Sequence, residues 1–319
     1  MTKLLFSLTC IFLTTIVCAQ PTDFEGKLVY RTSVRPRGNL FSVHALQRLL
    51  FAGDSMTVYV KNGNYRRSSG NAEQYYISKD QKIYTILKGI DTLFYRDYAD
   101  DTSAVKIVEA GAESRKVAGY ACSSFTLATL RDTTQYFYAP QLYFDPAHTK
   151  NLLVGHLNLL GDQAKSLWLE SETKTANYVL TNTCYYVSKE KVDDQLFALP
   201  ALPVAKFSFA SVFKLPQYAG MGSWAAYLQR NMNLGLVAKF VKIKKGEDMA
   251  QQTAQVSFSV LENGEVAGIR VLNKDKVHPD LVIEAMRLIQ NSQWQPATMA
   301  GEKIAFPLTQ PIVFRVVND

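Results

Sequence analysis

The 319-residue chain has only four cysteines and four histidines. The histidines, His44, His148, His156 and His278, lie far apart, and none shows a metal-ligand spacing such as the helical i, i+4 pair. No strained Gly-x-Ser-x-Gly turn is present, and neither is a Walker or dinucleotide glycine pattern. These absences leave no recognisable constellation for hydrolysis, nucleotide handling or metal chemistry, so the expectation is a protein without catalytic residues, cofactor or metal. An excess of one charge is also missing from any single region. The formal net charge of +7 is spread over the chain, with 22 basic and 19 acidic residues in 20–213 and 12 and 9 in 214–319. A nucleic-acid reader concentrates positive charge on one face, so nucleic acid is not an expected partner. The one local cluster, "KFVKIKKG" with Lys239, Lys242, Lys244 and Lys245, reads as an exposed loop.

Long apolar runs are absent beyond the first twenty residues, "MTKLLFSLTCIFLTTIVCAQ". That stretch has one positive charge, Lys3, and an apolar segment from Leu4 to Val17 interrupted by Ser7, Thr9, Thr14 and Thr15. It is shorter than the about 20 apolar residues of a spanning helix. It has the pattern of a secretory signal peptide cleaved after Ala19, which points to the periplasm. Cys18 suggests a lipoprotein, but Val17 precedes it where a lipobox wants a small residue. Export leaves Cys122 and Cys184 in a compartment that permits disulfides. Each lies in a strand-like run, "ACSSFTL" and "TNTCYYV", so they can pair if those strands are neighbours facing the same way; two buried free thiols are the alternative.

What the chain has in quantity is short β-like runs. From Phe24 to about Pro200 they follow one another at hairpin spacing, separated by turn pairs such as Asn62-Gly63, Lys79-Asp80 and Arg131-Asp132. Fifteen of the 17 tyrosines lie in this region, which suits strands with one wet and one apolar face. The expected division is a signal peptide over 1–19, an antiparallel β-rich domain over 20–198, a linker over 199–213 and a mixed domain over 214–319. Within the β-rich part, Asp193 and Asp194 read as a solvated turn. Arg66-Arg67 suit either a phosphate or a polar strand edge.

The last hundred residues read as α-β-β-α-β, making the whole chain α+β. "SWAAYLQRNM" places Trp224, Tyr227 and Leu228 on one helical face behind a Ser223 N-cap. Strands over 254–261 and 265–273 turn at Asn263-Gly264, and Val256, Phe258 and Val260 alternate with serines. A helix over about 279–291 opens on Pro279, whose missing N–H costs nothing there, with Asp280 favoured by the helix dipole. A final strand spans about 303–316.

These residues resemble the TonB C-terminal domain family. The resemblance rests on Gly220 and Gly222, Tyr227-Leu228, the hairpin set Val256, Phe258, Val260, Gly264, Val266 and Val271, then Leu281, Glu284 and Ala285. It continues through Trp294, Pro296, Gly301, Pro311, Ile312 and Phe314, covering about a third of the chain. The resemblance implies a small antiparallel sheet with helices on one face that binds a protein partner without catalysis. In the energy transducer of that family, the domain captures a short peptide of an outer-membrane transporter by adding a strand, so an envelope protein is the implied partner. Energy transduction itself is the more remote alternative, because a long Pro-rich spacer and the family's Tyr-Pro after the first helix are missing. Trp294 and Pro296 are expected to cap the sheet end. The N-terminal region more faintly resembles periplasmic carriers of the lipoprotein-carrier type, a curved half-barrel that can shelter an acyl chain, which makes a lipid or other apolar molecule the alternative ligand.

In the closing strand, "KIAFPLTQPIVFRV", the N–H groups of residues 307, 309, 311 and 313 point the same way, yet Pro307 and Pro311 have none. That side is therefore expected to face outward. Thr309, Val313 and Arg315 would then be the donors available to a partner strand.

Overall fold

Alternation of apolar and polar residues lays down nearly half of the described residues as strands, and the result is α+β, with a large curved open sheet followed by a small C-terminal domain. The computed structural model describes residues 21–97, 105–110 and 115–318. The signal peptide expected over 1–19 lies outside the described residues.

The first sheet contains, among the described residues, thirteen strands. They are β1 (Gly26–Pro36), β2 (Ser55–Lys61), β3 (Asn64–Ser69), β4 (Ala72–Ile77), β5 (Lys82–Leu87), β6 (Leu93–Asp97) and β7 (Lys106–Ala110). After these come β8 (Arg115–Val117), β9 (Tyr120–Ala128), β10 (Asp132–Tyr143), β11 (Ser166–Thr175), β12 (Tyr178–Lys189) and β13 (Val204–Lys206). Their spatial order is β13-β6-β5-β4-β3-β2-β1-β12-β11-β10-β9-β7, with β8 beside β9. Most neighbours are hairpins. Asn62 and Gly63, with φ of 50° and 76°, form the two-residue turn that pairs Lys61 with Asn64. The joint between the two halves of the sheet is the long-range antiparallel pair β1–β12. On β1 the residues Leu28, Tyr30, Thr32 and Val34 are buried in strict alternation; Leu28 and Tyr30 join Met56, Val60, Phe137 and Leu169 in the core of the inner face, and Val34 packs with Leu46 and Ala52. The outer face carries tyrosines under cations: Lys27 over Tyr59, Arg66 over Tyr75 and Lys82 over Tyr95.

Two helices interrupt this meander that the strand pattern gave no sign of. They are α1 (Val43–Leu49), capped by Ser42, and α2 (Leu157–Ala164), whose Leu160 and Ala164 pack with Phe125 and Leu127. The stretch read as a linker, 199–213, contains β13, which lies parallel to β6, then α3 (Phe209–Val212) and the first residue of β14 (Phe213–Lys214). Main-chain bonds from Leu93 to Pro203 and from Phe207 to Tyr95 hold β13 at both ends, each 2.8 Å.

The C-terminal unit continues with β15 (Gln217–Tyr218), α4 (Trp224–Asn231), α5 (Leu234–Phe240), β16 (Met249–Val260), β17 (Val266–Val271) and α6 (Pro279–Gln290). It ends with β18 (Trp294–Gln295), β19 (Ala297–Met299), β20 (Glu302–Ile304) and β21 (Phe306–Val317). The order β17-β16-β21 forms its main sheet, and helices pack on the face carrying Val256, Phe258, Val260, Ile312 and Phe314. Ser223 caps α4 as its sequence suggests, and α6 begins at Pro279. Helix α5 is an addition to the expected order. So is the division of the closing segment, where β20 folds back on β19 through a turn at Ala300-Gly301 (φ 52° and 82°) and a break at Ala305 precedes β21.

An apolar seam joins the two units. Ala45, Ala72, Leu87 and Phe94 of the first pack against Val212, Ala297, Met299, Ala300 and Ile304, with Phe207, Phe213 and Phe306 around them. Arg48–Glu302 (2.6 Å) and His44–Glu262 (2.8 Å) flank it.

The β16–β17 hairpin is a three-residue loop rather than the two-residue form: Gly264 N–H donates to Leu261 O (2.9 Å) and Leu261 N–H to Glu265 O (2.8 Å). Gly264 takes φ 89°, and a Cβ there would stand 2.4 Å from the carbonyl oxygen of Trp294. Gly264→Ala therefore combines a left-handed strain with a main-chain clash and should lower stability by about 1–3 kcal/mol, read by urea unfolding of the full chain.

Candidate functional site

Among the described residues, the C-terminal unit presents an open strand edge and the large sheet has a cavity on its inner face. The edge is β21. It pairs with β16 over its whole length without a bulge, and Pro307 and Pro311 lie opposite Ser259 and Gln255. Residues facing each other across an antiparallel ladder alternate between bonded and non-bonded pairs. Prolines cannot donate, so the odd-numbered residues of β21 form the non-bonded pairs. Asn318, the next even position, extends the bonded series by donating to Asp248 O at 2.9 Å. The N–H groups of Thr309, Val313 and Arg315 therefore point away from β16, where β21 has no further strand neighbour among the described residues. Their side chains and that of Pro311 are exposed, and Arg315 reaches across to Gln251 (3.0 Å). The opposite edge of the same sheet is less regular. There β17 is six residues long, Gly268 has φ 64°, and the register slips between Ser257 and Ser259.

Behind the edge, the residues that carry the family resemblance hold the unit together. Tyr227 donates its hydroxyl to Leu288 O (2.8 Å) inside the core. Trp294 packs against Phe258, Trp224 and Tyr218 and donates its indole N–H to Ser292 Oγ (2.7 Å). Leu228 borders this core; Ala285 and Phe314 are fully buried in it, Pro296 links β18 to β19, and Gly301 supplies the second left-handed position of the β19–β20 turn. Glu284 is 3% exposed, accepts two bonds from Arg287 (2.7 Å each), and accepts the Asn233 N–H (2.8 Å) at the start of α5. The Arg287 hydrogen bonds hold its carboxyl below the usual carboxylate range.

The cavity measures about 280 Å³ and is walled by apolar side chains of β1 and β2, by Trp168 and by Leu157 and Leu160 of α2. Arg67 lies on its wall, because β3 directs Tyr65 and Arg67 inward while Arg66 points outward to Glu73 (3.0 Å). Strand β3 is central in the sheet, so the Arg66-Arg67 pair does not mark a strand edge. A second, polar cavity of about 200 Å³ shares Arg67, Gln74 and Arg96 with the first.

Cys122 and Cys184 are free thiols, both buried in the core of the large sheet. Burial raises the Cys122 thiol and pushes Cys184 up to about 11, so neither is a thiolate at neutral pH. Asp193 caps the short helical turn 194–197 through Gln195 N (2.9 Å), and Asp194 pairs with Lys61 (2.8 Å). His148 is bonded to Asp23 (2.6 Å), while His278 stacks on Phe240 and caps α6. Among the described residues, no group of three or more His, Cys, Asp or Glu is placed to hold a metal, and no helix is long and apolar enough to cross a membrane.

An α+β module with one regular open strand edge, its helices on the opposite face, is the class this C-terminal geometry defines. Residues 248–316, within this unit, match the family described as Gram-negative bacterial TonB protein C-terminal. No curated protein matches the chain. The solved structures it is similar to include PNGF-II in its P21 crystal form, at 11% identity and TM-score 0.36, with 76% of this chain and 45% of that chain covered. They also include the MucA/MucB complex of Pseudomonas aeruginosa, at 9% identity and TM-score 0.24, with 76% and 77% covered. The chain thus spans less than half the length of PNGF-II, and likeness at these scores carries no argument.

Because the folded pKa of Glu284 is depressed, its contribution to stability is present above the unfolded value near 4.3 and disappears as pH falls through the folded value. Glu284→Gln should cost about 1–3 kcal/mol at pH 7, toward the low end since Arg287 is partly solvated. The difference from the parent protein should shrink toward zero below about pH 4 in urea titrations.

Proposed function

We propose that the protein acts in the periplasm as a docking protein, capturing an envelope protein by strand addition on β21 and performing no catalysis. The observation that carries this reading is the unpaired, bulge-free edge of β21, with three donors at Thr309, Val313 and Arg315 and gaps at Pro307 and Pro311. Strand addition draws affinity from main-chain bonds and specificity from the side chains that alternate along the strand. Each such bond contributes about 1 kcal/mol net, so three donors support modest affinity. The two proline gaps discourage indiscriminate pairing at an open edge. The match to the TonB C-terminal family supports a protein partner at the cell envelope, and an outer-membrane transporter is one candidate. A second reading, carriage of an apolar ligand by the large sheet, is favoured by the cavity under α2.

The docking reading is tested by Val313→Pro, which removes one outward N–H without touching the β16 ladder. Crosslinking in intact cells should recover the partner with the parent protein and at least about fivefold less with the variant, the equivalent of one lost bond. Melting temperature should be nearly unchanged. Loss of the fold would make the edge internal, and unchanged capture would move the docking surface elsewhere.

A further inference from the structure

The inner-face cavity contains a charge without a counter-charge. Across β2 to β6 the inward residues of one row are Val58, Arg67, Gln74, Thr85 and Phe94, so a guanidinium is set among apolar and neutral groups in the middle of a sheet. Arg67 makes no ion pair among the described residues, and the titratable groups acting on it are the phenols of Tyr65 and Tyr30. Desolvation pulls its pKa below the ordinary arginine value, the sign of a cation held where water is scarce. Among the described residues, no carboxylate lines either cavity. Leaving a charge in such a place costs several kcal/mol unless a partner of opposite sign arrives. Arg96, stacked over Phe207 at 4.1 Å, borders both cavities as well. On the apolar side, Ser166 is 4% exposed and its hydroxyl has no hydrogen-bond partner among the described residues. A buried polar atom of this kind marks a wall that faces an occupant or a water.

The two compartments differ in character and meet at the arginine. One is apolar and lies beneath α2; the other is polar, with Ser69, Gln74 and Thr85 on its walls. At about 280 Å³, the apolar compartment is at the small end of ligand pockets, about 300–1,000 Å³, and suits one chain rather than several. We propose that the large sheet binds a single-chain amphiphile with a carboxylate head, its tail beneath α2 and its carboxylate on Arg67 at the mouth of the polar compartment. The proposal rests on the second reading above and deepens it, since Arg67 selects for an anionic head where the apolar wall alone would accept any chain. A planar guanidinium pairs with a carboxylate through two parallel bonds, a geometry that neither an alcohol nor an ester reproduces.

Trp168 lines the cavity and reports occupancy by its fluorescence. The full chain, stripped of lipid, is titrated with palmitate, with hexadecanol, which has the same chain without the charge, and with acetate, which has the charge without the chain. Palmitate should bind one to one, hexadecanol at least tenfold more weakly, and acetate not at all. Arg67→Met should weaken palmitate at least tenfold, leave hexadecanol unchanged and raise the melting temperature of the empty protein, because an unpaired, partly desolvated charge has gone. Should that variant not fold, Val58→Phe narrows the cavity beside an intact Arg67 and should weaken both ligands together. Equal binding of palmitate and hexadecanol by the parent protein overturns the carboxylate assignment while apolar carriage stands. Binding of neither overturns both, and palmitate binding that ignores Arg67→Met places the head elsewhere.

Discussion

The apolar seam between the two units sets the geometry of everything that can bind. Ala297, Met299, Ala300 and Ile304 come from the segment between α6 and β21, and they pack on residues at one end of the large sheet and on α1. Burial of such side chains is worth about 1.5–3 kcal/mol each for the larger ones, so the contact is strong enough to hold two sheets as one body. Phe306, the first residue of β21, stands beside this seam and Val317 ends the strand. The edge is therefore presented at a fixed angle to the inner-face cavity, and Phe207 touches both the seam and the polar compartment.

Within the C-terminal unit the dependence runs from backbone to side chain. Two prolines fix which side of β21 is bonded, and the bonded side fixes which residues face the core. Ile312 and Phe314 then pack beneath α6, while Thr309, Val313 and Arg315 face solvent. Glu284 works in the same unit as a clamp, joining α6 to the start of α5 by a carboxylate that serves a side chain and a main-chain N–H together. Trp294 and Gly264 form a matched pair, since the indole residue's carbonyl occupies the space a Cβ would need.

Local signals were readable from the chain wherever local chemistry decides structure. Pro279 and Ser223 mark helix starts, Asn62-Gly63 marks a hairpin, and alternation on β16 marks its buried face. The signals failed where the deciding partner is distant. Helix α5 is only seven residues long, and although Asn233 caps it locally, its start is held by Glu284, fifty-one positions away. The cavity was equally hidden. Arg66 and Arg67 are adjacent and chemically identical, and only the pairing of β3 between β2 and β4 sends one outward to Glu73 and the other inward. Strand β16 begins before the expected 254 because Gln251, Gln252 and Thr253 break the apolar alternation, while the bonds to β21 continue back to Met249.

Strand β13 deserves a different description from a connection between units. By running parallel to β6 and bonding at both ends, three residues of the chain occupy an edge that would otherwise present unpaired donors and acceptors to any passing strand. On this side the large sheet thus ends in a strand of three residues, too short to template a long ladder, whereas β21 runs for twelve.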